Sequence, residues 1–102
     1  MEEKEIGLRD IAKYIRALHC PTRWRIIELL GRGPASTSEI AESLQREGTV
    51  RGRPNLYYHL SELQNAGIIE VAEYREEGGG APEKVWRLAI DKLVINLRED
   101  LR

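Results

Sequence analysis

The sequence predicts an α+β fold, mainly α, in which short helices are followed by a β-hairpin. Three observations lead there. Apolar residues recur at three- and four-residue steps through the first two thirds of the chain, helix start and stop signals separate those stretches, and alternating β-branched residues take over after Gly67. With 102 residues, 41% of them hydrophobic, the chain has material for one modest core and is expected to form a single domain over 1–102. A domain of this size buries roughly 65% of the surface that its unfolded form exposes.

Leu8, Ile11, Ala12, Ile15 and Leu18 predict an amphipathic helix over about 7–18. Pro21 opens a second helix, which continues through Trp24, Ile26, Ile27, Leu29 and Leu30 and stops at Gly31 and Gly33, with Pro34 beyond. In STSEIAESL, Ser36 and Glu39 stand at capping-box spacing, so a third helix is expected from there to about Arg46, burying Ile40, Ala41 and Leu44. EGTVRGRP reads as a glycine-broken loop. Pro54 suits the first turn of a fourth helix over 54–66, with Leu56, Leu60 and Leu63 as its buried stripe and Gly67 as its end. IIEVAEYR and KVWRLA, joined through GGGAP, read as the two strands of a hairpin. IDKLVINLREDLR is expected to close the chain as a fifth helix, with Leu93, Val94, Leu97 and Leu101 on one face.

Three helices and then a hairpin with a polar tip is the order of a winged helix, in which the third helix of the trio enters the major groove. The segment IRALHCPTRWRIIELLGRGPASTSEIAESL, followed by LYYHLSELQNAGIIE and the returning KVWRLA, resembles the ArsR-like family of winged helix-turn-helix repressors over roughly 15–89. That resemblance implies a recognition helix at about 54–66 whose exposed residues meet duplex DNA. It also implies terminal helices, at 1–20 and 90–102, that pair two protomers. Here the connection between the third and fourth helices is about five residues longer than the usual tight turn, a departure that bears on the docking angle.

A helical wheel tests the recognition helix independently. With Leu56 at zero, Leu60 and Leu63 cluster near it, while Tyr57, Tyr58, Ser61 and Asn65 fall to the side or opposite. Exposed tyrosines and Asn55 can donate to phosphates or reach base edges. The alternative is that the rings half-cover the neighbouring helix. Arg46, Arg51 and Arg53 precede this helix and are candidate phosphate grips, and Arg75 and Lys84 are candidates on the wing. Arg87 stands with them, although Glu76, Glu77 and Glu83 near the tip would repel DNA. Arg23 and Arg25 read as surface charge with a further option of phosphate contact. His59, at the edge of the leucine stripe, reads as a structural histidine rather than a ligand or pH switch.

Charge distribution agrees with this placement better than the net charge of −1 does. Residues 23–59 carry six basic and four acidic side chains, against six and nine over 60–102. Apolar stripes on the first and last helices exceed what the core needs, so Leu8, Ile11, Ile15, Leu93, Val94, Leu97 and Leu101 are expected to form a homodimer interface. Folding back onto the protomer's own core is the alternative.

Several classes are set aside. Apolar runs such as IIELL are far too short to span a bilayer, and MEEKE is not a secretory signal, so no membrane partner and a cytoplasmic location are expected. Cys20 stands alone and the two histidines are distant, which leaves no metal cluster and no implied cofactor. Metal-sensing members of the resembling family use cysteine pairs in the third helix or acidic and histidine sets in the last, and this chain has neither the cysteines nor the histidine. No nucleophile–base pair or phosphate-cradling loop suggests an enzyme. The function expected is sequence-specific regulation of transcription, most simply repression, with the effector unassigned. A winged-helix module for protein contacts within a larger assembly is the rival, suited by the acidic wing and a pI near 6.1.

Overall fold

The computed structural model describes residues 2–48, 53–76 and 80–98. In chain order these form β1 (Glu3–Gly7), a short 3-10 turn, α1 (Ile11–Leu18), α2 (Pro21–Gly31), β2 (Ala35–Ser36), α3 (Thr37–Arg46), α4 (Arg53–Asn65), β3 (Ile69–Arg75), β4 (Glu83–Leu88) and β5 (Lys92–Asn96). The core is made where the leucine stripe of α4 meets α2, α3 and the hairpin. Ile26, Ile40, Leu44, Leu56, Leu60, Leu63, Ile69 and Val85 are the largest fully buried side chains among the described residues. Among the described residues no helix is long and apolar enough to cross a membrane.

The capping box expected at α3 is present: Ser36 Oγ accepts from the Glu39 amide at 3.1 Å, and Glu39 Oε1 accepts from the Ser36 amide at 2.7 Å. Ser36 also lies in β2, opposite Val85, in an antiparallel sheet of order β2-β4-β3. The helix start is therefore pinned to the wing. Trp86 Nε1 tightens the same joint by donating to Thr37 Oγ1 at 3.0 Å. Within the hairpin the register shifts between Val71 and Glu73, a bulge that adds one residue to β3 and turns its outer half.

α4 ends in a Schellman motif. The Ile68 amide donates to Leu63 O at 3.0 Å and the Gly67 amide to Gln64 O at 2.9 Å, with Gly67 at φ +78°. This turn aims the chain from α4 directly into β3.

Two expectations about the terminal segments are corrected. Residues 90–102 were expected as a helix, yet Lys92–Asn96 form β5, parallel to β1 with Glu3 opposite Lys92 and Ile6 opposite Ile95. A short apolar run such as Leu93-Val94-Ile95 suits either state, and the partner strand that settles it lies at the other end of the chain. Leu93 and Val94 consequently point to opposite faces of a strand rather than sharing one helical face. α1 is helical as expected, but it buries Tyr14 and Ala17 instead of the stripe from Leu8 to Ile15. At 100° per residue, the buried side of α1 lies about 125° round from that stripe. Leu8 and Ile15 are left 40% and 53% exposed.

Gly67 has open space where a Cβ would stand, so only its left-handed backbone resists substitution. Gly67→Ala is expected to lower stability by about 1–2 kcal/mol, measured by urea denaturation, with the far-ultraviolet circular dichroism of the folded protein unchanged.

Candidate nucleic-acid interface

The solvent side of α4 carries Asn55, Tyr57, Tyr58, Ser61, Gln64 and Asn65, all exposed, directly behind the buried Leu56, Leu60 and Leu63. The two tyrosines have different surroundings. Tyr57, with Ser61 and Gln64, borders a cleft of about 400 Å³ between α4 and β4, where Lys84 and Trp86 form the opposite wall. Tyr58 leans the other way: its ring centroid is 5.3 Å from the Arg23 guanidinium and 5.7 Å from the His59 ring. At 52% and 57% exposure, both rings remain available to a partner.

The cations expected around the helix are unequally free. Arg46 is exposed at the end of α3, and Arg53 is the first residue of α4. Arg51 lies outside the described residues, as does the side chain of Arg53. Lys84 is exposed on β4, its ammonium 5.6 Å from the Trp86 ring. Arg75, half-buried at the end of β3, stands between Glu39 at 3.6 Å and Glu73 at 3.8 Å. Arg87 pairs with Glu70 at 2.6 Å, and Arg25 holds Glu47 in a fork of 3.0 and 2.6 Å. The Ser36 amide holds the Glu39 carboxyl below its usual range, and Arg75 adds to that effect.

Arg23 departs from the sequence expectation. It is only 5% exposed, so it is neither surface charge nor a phosphate grip. Its Nη1 donates to Arg16 O at 3.0 Å and Ala17 O at 3.1 Å, and its Nε donates to His59 Nδ1 at 3.0 Å. The signal was available: Arg23, Ile26 and Leu30 stand at helical spacing on the buried side of α2. Gln64, not singled out from the sequence, shares the cleft, one turn beyond Ser61 and two beyond Tyr57 on the same face.

Of the residues expected at a dimer seam, Leu8 and Ile15 are exposed, Ile11, Leu93 and Val94 are half-buried, and Leu97 is 71% exposed. Leu101 lies outside the described residues. Leu8 and Leu97 border one open hollow with Ile6 and Ile95, at the end of the β1–β5 ribbon. Leu93 instead packs against the protomer's own core.

With this geometry in view, the protein class is a winged helix-turn-helix. Residues 17–72, from the end of α1 to the first half of β3, match the model of a helix-turn-helix domain. The chain is 30% identical over 92 residues to the uncharacterized HTH-type transcriptional regulator MJ0229 of Methanocaldococcus jannaschii, covering 86% of this chain and 90% of that one. Among solved structures, Rv0081 of M. tuberculosis superposes with a TM-score of 0.60 at 26% identity, over 79% of this chain and 71% of that one. The homodimeric winged helix-turn-helix DNA-binding domain of Mb0332 from Mycobacterium bovis gives 0.59 at 26% identity, over 80% and 66%. Bacillus subtilis PadR, solved with operator DNA, shares the fold at 22% identity and a TM-score of 0.56, over 65% of this chain and 38% of that one. The chain belongs to the helix-turn-helix family of transcriptional regulators and is ArsR-like in form.

Burial pushes the His59 imidazole below its ordinary value, and the Arg23 charge pushes it further. Such a group is neutral in the folded protein and takes up a proton more readily when unfolded. Its stabilising contribution is therefore complete above the ordinary histidine range and is lost as pH falls through the lower folded value. Thermal unfolding followed across about pH 7.5 to 5 should show a declining midpoint, and His59→Asn should reduce the slope of that decline.

Proposed function

We propose that the protein is a dimeric repressor that binds specific duplex sequences with α4 in the major groove. The observation that supports this best is the α4 surface itself. A polar and aromatic face is presented outward by a helix whose opposite face is sealed in the core, beside a hairpin joined to the preceding helix through Ser36, Thr37 and Trp86. Such a helix can enter a groove without unfolding anything. In this reading Asn55, Tyr57, Tyr58 and Ser61 face base edges or phosphates, while Arg46, Arg51 and Arg53 grip the backbone beside them. Lys84 serves the wing. Arg75 joins it by exchanging its carboxylate partners for phosphate.

The whole chain works as one domain in the cytoplasm, with both terminal segments given to the dimer. Leu8, Ile11, Ile15 and Leu97 provide its apolar surface, Leu101 extends it, and Leu93 and Val94 stiffen the ribbon behind. A two-fold pair would set its reading helices about 34 Å apart, one turn of duplex. The exposed apolar stripe on α1 supports this arrangement, because the protomer's own core leaves it uncovered.

Fluorescence anisotropy against duplexes selected from a randomised pool tests the reading. Affinity should fall steeply with salt, and Lys84→Ala should flatten that dependence by about one phosphate contact. Tyr57→Ala should weaken the selected site by about tenfold, equivalent to about 1.4 kcal/mol, without lowering thermal stability. Absence of binding at low salt would instead favour the protein-contact module. Sedimentation of the Ile15→Glu, Leu97→Glu double variant should give a monomer where the unsubstituted protein gives a dimer.

A further inference from the structure

We propose that Arg23 is a positioning residue for DNA reading: through the imidazole of His59 it fixes the seat of α4 against α1 and α2, and protonation of that imidazole releases the seat. The proposal rests on the reading that α4 meets DNA. It concerns how that helix is held, not which residues touch bases.

Three directed contacts converge on one planar guanidinium. Nη1 is shared by the carbonyls of Arg16 and Ala17, which end α1, and Nε points at His59 Nδ1 at 3.0 Å. An arginine Nε–H always donates, so Nδ1 must be the unprotonated nitrogen and Nε2 carries the ring proton. The fork geometry then sets both the distance and the direction between the end of α1 and the middle of α4. An ammonium has three donors but no planar fork to hold these three partners in fixed directions. Since α1 also carries the uncovered apolar stripe, the pairing of protomers and the seat of α4 share a single anchor.

Adding a proton at Nδ1 turns an acceptor into a donor facing a donor and places a second cation beside the first, away from water. The groups facing the imidazole are Arg23 from α2, the two α1 carbonyls behind Arg23, and the Tyr58 ring on α4 itself. Lys13, Arg16 and Glu62 border the α1–α4 seam at its solvent edge. The charge that acts on His59 is that of Arg23. Among the described residues no carboxylate acts on the imidazole, Glu62 lying at the solvent edge of the seam, so the new charge is not neutralised and the contact opens.

The test measures the affinity of the full chain for one selected duplex at fixed ionic strength, at about pH 7.5 and about pH 5, with circular dichroism confirming the folded state at both. The unsubstituted protein should lose roughly fivefold in affinity as the competent fraction falls. His59→Asn, whose side-chain oxygen can still accept from Arg23 but cannot titrate, should show a flat profile whatever its absolute affinity. Arg23→Lys should bind weakly at both values. Parallel losses in the unsubstituted protein and H59N, or a flat profile in both, would overturn the proposal. So would variants that change only the melting temperature. If R23K does not fold, the H59N comparison still decides. Failure of the unsubstituted protein to bind any duplex at either pH would remove the DNA reading itself, and this proposal with it.

Discussion

A charged side chain occupies a position on α2 where helical spacing alone would put a leucine, and the satisfaction of its donors governs how three helices meet. Arg23 shares the buried side of α2 with Ile26, and its hydrogen bonds reach two other parts of the chain, the last turn of α1 and the middle of α4. Leaving one such buried donor without a partner costs about 1–3 kcal/mol, a large fraction of what a domain of this size has to spare. The arrangement of α1, α2 and α4 is therefore specified in direction as well as in distance. Apolar packing alone would leave the direction softer.

A second joint sets the hairpin. Ser36 is at once the cap of α3 and a residue of the sheet, so the start of the helix-turn-helix and the base of the wing share one backbone segment. Trp86 extends that joint into the interior by hydrogen bonding to Thr37. Between these two anchors, α4 and β4 form the walls of a cleft whose rim carries Tyr57, Ser61, Gln64 and Lys84. The surface formed by α4 and β4 thus has two separate anchors, Arg23 behind α4 and Ser36 beside β4.

The terminal segments follow a different logic. β1 and β5 pair with each other rather than with the three-stranded sheet, and a two-stranded ribbon is only marginally stable alone. The Asp91 amide extends the pairing by donating to Glu2 O, and the burial of Ile6, with Leu93 packed against the core, ties the ribbon to the body of the protein. Its far end still displays Ile95 and Leu97, next to Leu8. Uncovered apolar surface gathered in one region of a small protein is the usual mark of an interface.

What could be read along the chain was whatever local chemistry specifies. The leucine stripe of α4, the Ser36–Glu39 cap, the glycine at the end of the reading helix and the hairpin all depend on residues within a few positions of one another, and all are present. The outward face of Tyr57, Tyr58 and Ser61 followed from the same periodicity. Tertiary structure alone decided the rest. Lys92–Asn96 became a strand because Glu3–Gly7, nearly the whole chain away, supplied its hydrogen-bond partners. α1 turned Tyr14 rather than Ile15 inward, into the buried cluster shared with α2 and α4, and Arg23 went inside because α1 and α4 brought it three acceptors. Periodicity measures only the apolar content of a face. Whether that face is buried, and whether a cation can join it, depends on partners that only the folded chain brings within reach.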